Sequence, residues 1–193
     1  MKKKLKKRKL LILVMCSFLL ITSCQKDTNK KQIFEINDTK QTGWSIDSYV
    51  LTYRRHFMMT QPAEDLNELK AEIDNFLLNY PLDFEAIIEE AERSISTIEE
   101  GDVKKVDVEL YFYRESHDLP IDWKPDEGYF SIDRIDHHKE DLIASVCWTD
   151  LDQGKRYSLI KKGKEKDNYG DVIEYLRYYE DELIESFVEE IDE

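Results

Sequence analysis

The apolar residues of this chain change their spacing at Gly101, and that change limits the folds open to the chain. Before Gly101, apolar side chains recur at helical intervals, which predicts one helix over Ala63–Asn79 and a second from Phe84 to Ile98. After Gly101, they alternate with other residues over Val103–Glu115, which indicates a strand with one buried face. The chain therefore combines a helical part with a sheet part.

Four segments after Gly101 are strand candidates, and short polar loops separate them. They are Val103–Glu115, Tyr129–Ile135, Leu142–Thr149 and Arg156–Lys161. Sequential strands joined by short loops favour an antiparallel meander. A final helix is predicted from Asp171 to about Glu190, because its apolar residues again follow a helical period. These residues are Val172, Leu176, Leu183, Ile184 and Phe187.

N-terminal helices, a four-stranded antiparallel meander and a C-terminal helix together predict an α+β domain with helices on one sheet face. This order of elements is similar to cystatin-like and NTF2-like cones, a likeness of architecture that implies no function. The segment Trp44–Met59 leaves two alternatives open. Its apolar residues have helical spacing, whereas the composition of residues 49–53 is typical of a strand. We favour the helix.

The first 24 residues form a separate unit with a basic start and an apolar centre. Seven Lys and Arg residues precede the apolar run Leu10–Ile21, and polar residues follow Cys24, as in a secretory signal. The four residues Ile21-Thr22-Ser23-Cys24 resemble the lipobox of bacterial lipoproteins. That resemblance implies a diacylglycerol on the Cys24 thiol, cleavage between Ser23 and Cys24, and acylation of the new terminus.

Two alternatives to lipidation fit this segment less well. An uncleaved anchor would need about 17–25 apolar residues, and the run is shorter than that. Cleavage without a lipid favours a small residue where Ile21 stands. We therefore expect a signal over residues 1–23, a lipidated Cys24 with a flexible tether over 24–42, and one domain over 43–193. The protein is expected on the cell membrane or outer membrane, outside the cytoplasm, since several acyl chains anchor stably.

Removal of the signal changes the charge of the chain. Seven of the 28 Lys and Arg residues lie in the signal and none of the 42 Asp and Glu residues do, so residues 24–193 carry a net charge near −21. Nucleic acids would be repelled by such a surface. The acidity either keeps the domain soluble or attracts a cationic partner. Cys147 is then the only cysteine besides Cys24, and its apolar neighbours predict that it is buried.

The densest polar segment, residues 133–141, contains a candidate metal site. Asp136, His137 and Glu140 could converge on an ion in a tight turn, because imidazole and carboxylate groups are metal ligands. No second ligand motif elsewhere in the chain supports this site. A solvated loop between two strands explains the same residues.

A second candidate is the loop His117–Gly128, which contains Trp123 and two prolines. We take Trp123 and the nearby Tyr129 as candidate binding residues, because an exposed Trp is a common interface anchor and prolines reduce the entropy lost on binding. The alternative is that Trp123 folds back over the open end of the sheet.

The chain has no nucleophile elbow, no Gly-rich phosphate loop and no Cys/His arrangement, so no cofactor and no catalytic residue are predicted. We expect a membrane-anchored lipoprotein whose acidic domain, outside the cytoplasm, binds a protein, a cationic effector or a glycan without catalysis. The alternative is a small metal-dependent or hydrolytic enzyme that acts on envelope polymers.

Overall fold

A computed structural model describes residues 31–125, 134–162 and 172–188, and within them the chain forms one large sheet with two helices. The strands are β1 (Gln32–Glu35), β2 (Gln41–Ser45), β3 (Val50–Thr60), β4 (Lys105–Arg114), β5 (Leu142–Thr149), β6 (Arg156–Lys162), β7 (Val172–Tyr179) and β8 (Glu182–Val188). The helices are α1 (Leu66–Leu77) and α2 (Phe84–Ser94), with short 3-10 turns at Asn37–Thr39, Ile135–His137 and Lys139–Asp141.

The eight-stranded sheet is mixed, with the strand order β1-β3-β4-β5-β6-β7-β8. The strands β3 and β4 are parallel, and the connection between them contains both helices. All other pairs are antiparallel, so β4 to β8 form a five-stranded meander. Both β1 and β2 pair with the same side of β3, one with each half of that long strand. The first edge of the sheet is therefore a strand interrupted by the turn Asn37–Thr39.

Both helices begin at an aspartate that caps their first backbone amides. The Asp65 carboxylate accepts hydrogen bonds from the amides of Asn67 and Glu68, at 2.9 and 3.0 Å. The Asp83 carboxylate accepts one from the Ala86 amide at 3.0 Å. Such caps satisfy amides that have no partner within the helix. The helices then pack their apolar stripes on one face of the sheet.

The main core lies between the helices and this face. Its fully buried members include Leu51, Phe57, Ile73, Val106, Val108, Leu110, Phe112, Val146 and Leu159. A second, smaller core lies on the opposite face, where loops cover the end of the sheet, and consists of Ile36, Met58, Tyr113, Leu119 and Ile135. Because β3 contributes to both cores, its last six residues are all buried.

The predicted α+β cone is wrong, since the described chain is mostly sheet, with two short helices. The N-terminal helix favoured for Trp44–Met59 is instead the end of β2, a turn and nearly all of β3. A strand covered on both faces shows no alternation in its sequence, so the helical spacing of its apolar residues was coincidental. The strand composition of residues 49–53 was the better signal.

The predicted C-terminal helix is also wrong: its described residues, 172–188, form the antiparallel hairpin β7–β8. The chain reverses at Glu180, which has a positive φ of 53°. No Gly or Asn marks this reversal in the sequence, and therefore the two strands read as one continuous helical pattern. The β-branched and aromatic residues of β7 agree with the strand.

The other predicted helices and strands agree better with the structure. The two central helices and the strands β4, β5 and β6 lie where they were predicted. Of the candidate strand Tyr129–Ile135, residues 129–133 lie outside the described residues, and Ile135 begins a 3-10 turn. Within the predicted tether, Gln32–Glu35 belong to β1 and both Gln41 and Thr42 belong to β2, so the sheet begins earlier than residue 43.

The far edge of the sheet, β8, differs from β1. The pairing of β7 with β8 shifts register between Arg177 and Tyr178, which leaves Ile184 as an extra residue in β8. Every residue of β8 is exposed, including its apolar side chains. Such a bulge twists an edge strand away from regular pairing.

Candidate functional site at the edge of strand β1

The outward edge of β1 is a row of backbone groups with no strand partner among the described residues. The Ile36 amide donates to the His56 carbonyl at 2.8 Å, and the Gln32 amide donates to the Thr60 hydroxyl at 2.9 Å. The backbone groups of the even-numbered residues of this segment therefore point towards β3. Since backbone direction alternates along an antiparallel strand, the backbone groups of Ile33 and Glu35 point outward.

A cleft of about 330 Å³ lies on the helix side of β1. Its floor contains Ile33 and its partner Met59, and helix α1 forms one wall. The lining residues are Lys31, Gln32, Ile33, Met59, Thr60, Glu72, Asn75, Phe76 and Asn79. We call it the helix-side cleft.

An ion pair crosses the helix-side cleft. The Lys31 ammonium contacts the Glu72 carboxylate, and these side chains are 58% and 25% exposed. The hydrogen bond that Lys31 donates to Glu72 and the nearby charges of Glu72 and Glu68 raise the pKa of Lys31. The other Glu72 oxygen accepts a hydrogen bond from the Ala63 amide at 3.2 Å. The segment that precedes α1 therefore holds this carboxylate in place.

A second cleft of about 320 Å³ lies on the opposite face of β1. Its floor contains Phe34 and its partner Met58, and the loop Ile121–Lys124 forms the facing wall. Glu35, Ile36 and Asn37 complete the lining. We call it the loop-side cleft. Because Ile33 and Phe34 point to opposite faces, one strand edge has a cleft on each side.

The loop wall is held to the sheet by Leu119, which is fully buried in the second core. A tight turn precedes it, in which the Ser116 amide donates to the Leu119 carbonyl at 3.0 Å and the Ser116 hydroxyl accepts from the Leu119 amide at 3.0 Å. The Trp123 amide then donates to the Pro120 carbonyl at 2.9 Å. A fully buried leucine anchors such a loop because exposing it would be costly.

The predicted binding residue Trp123 lines the loop-side cleft. Its ring is half-buried against the second core and meets the His138 ring edge-on, with centroids 5.2 Å apart. The side chain thus both closes the end of the sheet and offers one surface to the cleft. Tyr129, the other predicted binding residue, lies outside the described residues, as does the lipidation candidate Cys24.

An ion pair between buried Arg55 and half-buried Glu35 joins the two halves of the edge. Arg55 is 5% exposed, and its guanidinium donates to the Gln41 carbonyl at 3.2 Å and lies 3.5 Å from the Glu35 carboxylate. Glu35 belongs to β1 and Gln41 to β2, so Arg55 bridges the interruption. Its planar group also lies 3.8 Å from the centre of the Tyr53 ring. Arginine suits this position because it carries several donors in one plane.

The predicted metal ligands Asp136, His137 and Glu140 lie in the two short turns before β5, and all three are exposed. The Asp136 carboxylate accepts from the Arg134 guanidinium at 3.2 Å. Within the described ranges, no three His, Cys, Asp or Glu side chains are placed to hold a metal ion. The structure therefore gives the metal hypothesis no ligand cluster.

The open face of the sheet carries paired charges. The Arg54 guanidinium lies 2.6 Å from the Glu109 carboxylate, and the neighbouring Cys147 is exposed. The prediction that Cys147 is buried is therefore wrong. It occupies the uncovered face of β5, where the alternation of an apolar run does not show which face is covered. These paired groups are typical of a solvated sheet face.

Sequence reasoning missed the β1 edge, because the short apolar group Ile33–Ile36 lies in a polar segment that resembles a tether. No protein-family model, curated protein or solved structure matches the chain. Neither helix in the described part of the chain is long and apolar enough to cross a membrane.

Proposed function

We propose that this domain binds an extended segment of another polypeptide, which adds to the sheet as a strand beside β1. The observation that carries the proposal is a strand edge that no described residue pairs with and that has a cleft on each of its faces. In strand addition, main-chain hydrogen bonds supply affinity and alternate side chains supply specificity. The two clefts lie where those alternate side chains would point.

The contacts of such a segment follow from the register of β1. Its backbone would pair with the outward groups of Ile33 and Glu35. A side chain opposite Ile33 would enter the helix-side cleft, and the next one, opposite Phe34, would enter the loop-side cleft and contact Trp123. Because β1 has four residues, the interface is small, and we expect dissociation constants on the order of micromolar.

The proposed location follows from the lipobox resemblance. We propose that a lipid on Cys24 holds the domain on its membrane and that the β1 edge works outside the cytoplasm. Replacing Cys24 with Ala should leave a longer, unlipidated precursor. Unchanged processing of that variant would contradict the anchor.

Strand addition can be tested by selecting random ten-residue peptides on the full chain purified in detergent. The decisive variant is Ile33→Pro, which removes an outward amide that makes no bond to β3. Its matched control is Ile33→Ala, which loses the same side chain but keeps the amide. We expect selected peptides to bind the Ala variant at least about tenfold more tightly than the Pro variant.

Three results would overturn the proposal. The first is that no peptide is enriched over a blank support. The second is that Ile33→Pro and Ile33→Ala bind the peptides equally. The third is that the full chain forms a dimer that Ile33→Pro dissociates, because the edge would then hold a second copy of this chain.

A further inference from the structure

The two charged side chains that form the ion pair in the helix-side cleft are held differently. Lys31 is the one cationic side chain among the residues that line it, and it contacts Glu72. Glu72 projects from the middle of α1 and its carboxylate accepts a hydrogen bond from the Ala63 amide, whereas Lys31 is 58% exposed on a long flexible stem. The Glu72 carboxylate therefore has a fixed position, whereas another cation can displace the Lys31 ammonium from it.

From this asymmetry we infer that Glu72 receives a Lys or Arg side chain of the added strand, which takes the place that Lys31 occupies in the free protein. The inference rests on the proposed function and names the chemistry of its ligand. A side chain opposite Ile33 points into the cleft that contains Glu72. The partner is thus an extended segment with a basic residue at that position.

The neighbouring position of the ligand is apolar. A side chain opposite Phe34 enters the loop-side cleft, whose floor is formed by Phe34, Ile36 and Met58 and whose wall includes Trp123. The half-buried rings of Phe34 and Trp123 offer apolar surface to the ligand, beside the polar and charged lining residues Glu35, Asn37, Asp122 and Lys124. The ligand therefore alternates basic and apolar residues, which is the pattern of a strand with two unlike faces.

The charge of the whole domain favours the same ligand. Residues 24–193 carry a net charge near −21, which attracts basic segments and increases their rate of association. Around the cleft itself, Glu68 lies close enough to Lys31 to raise its pKa. Asn75 and Asn79 contribute only neutral polar groups. A basic side chain thus meets negative charge both at long range and within the cleft.

Two synthetic peptides test the inference on the full chain in detergent. One is acetyl-(Arg-Val)4-amide. The other replaces each Arg with citrulline, which has the same shape without the charge. We expect Glu72→Gln to weaken binding of the Arg peptide by about threefold to tenfold and to leave the citrulline peptide unaffected. Gln keeps an oxygen for the Ala63 amide, so the fold is retained.

Two further variants complete the design. Lys31→Met frees Glu72 and should tighten binding of the Arg peptide by about the same factor. Glu89→Gln removes an equal charge from the exposed side of α2 and should change binding by less than about twofold. Equal effects of Glu72→Gln and Glu89→Gln, no tightening by Lys31→Met, or no binding of the Arg peptide would overturn the inference. If Ile33→Pro still abolishes binding of selected peptides, strand addition survives that failure.

Discussion

The ammonium group of Lys70 lies 4.4 Å from the centre of the Tyr157 ring, on the inner side of helix α1. A second ring, that of Tyr178, lies 5.4 Å away, and the carboxylates of Asp74 and Asp181 lie at 2.9 and 3.0 Å. Lys70 is only 8% exposed. It therefore ties α1 to β6, to β7 and to the turn after β7.

We expect Lys70→Met to destabilise the fold by about 2 kcal/mol, because it removes the cation between two aromatic rings and leaves Asp74 with only its hydrogen bond from the Tyr157 hydroxyl. Burial lowers the pKa of Lys70, but hydrogen bonds to Asp74 and Asp181 outweigh it and keep the group charged. Urea unfolding measures the loss. Lys104→Met, at an exposed lysine, is the control and should cost less than about 0.5 kcal/mol. Equal losses would contradict this role.

Acid should weaken the fold through His56. Its ring stacks on Tyr111 with centroids 5.4 Å apart, it is 2% exposed, and neither of its nitrogens has a hydrogen-bond partner among the described residues. Burial lowers the pKa of His56 from 6.5 to about 4, and the attraction of Asp136 only partly opposes this. The unfolded chain therefore binds a proton at a higher pH than the folded chain.

The stability contributed by neutral His56 is complete above about pH 7 and is lost as the pH falls from 6.5 towards 4. The loss amounts to about 3 kcal/mol over that range. His56→Phe keeps a stacked ring and does not titrate, so its unfolding free energy should fall less between pH 7 and pH 4.5. Thermal or urea unfolding at several pH values gives this difference. Parallel curves for the two proteins would show that His56 is not the group responsible.

Trp123 should matter for binding more than for folding. Trp123→Ala removes the aromatic wall of the loop-side cleft, and we expect about tenfold weaker binding of acetyl-(Arg-Val)4-amide. Trp123→Phe keeps an apolar ring and should lose about threefold or less. Fluorescence anisotropy of labelled peptide measures both. If the Ala variant binds as well as the wild type while Ile33→Pro does not, the ligand contacts the edge without entering this cleft.

Arg55 should control the order of the split edge. Lysine at this position keeps the charge but cannot reach the Gln41 carbonyl, the Arg54 carbonyl and the Glu35 carboxylate together. We expect Arg55→Lys to cost about 1–2 kcal/mol and to speed amide hydrogen exchange in β1 and β2 selectively. Exchange that rises uniformly across the sheet would instead indicate a global loss of stability.

The parts of the fold that sequence predicted correctly have one exposed and one buried face. The helices α1 and α2 and the strands β4 to β6 show clean periods, because one side of each packs on the main core and most of the other side is solvated, with Tyr113 at the end of β4 as an exception. The strand β3 lies under helices on one face and under the second core on the other, so its burial leaves no period to read. The hairpin β7–β8 lacked a turn signal, since Glu180 takes a conformation that usually marks Gly or Asn.

The sequence alone predicted only some of the residues of the candidate site. Trp123 was identified because its residue type and rigid loop are typical of interfaces, and it lines one of the two clefts. Ile33 and Glu72 were not identified as a pair. They are distant in the chain, and only the pairing of β1 with β3 brings them to one cleft. A short edge strand has too few residues to show a recognisable strand pattern in the sequence.

The unlike ends of the sheet set a limit on self-association. The end formed by β1 is regular and bordered by clefts, whereas the end formed by β8 is bulged and carries Glu182 and Glu185. Because the β8 end is bulged, it does not match the regular β1 end of another copy of the chain. We therefore expect copies of the chain not to join end to end into fibres, even at the high local concentration that the proposed lipid anchor would produce.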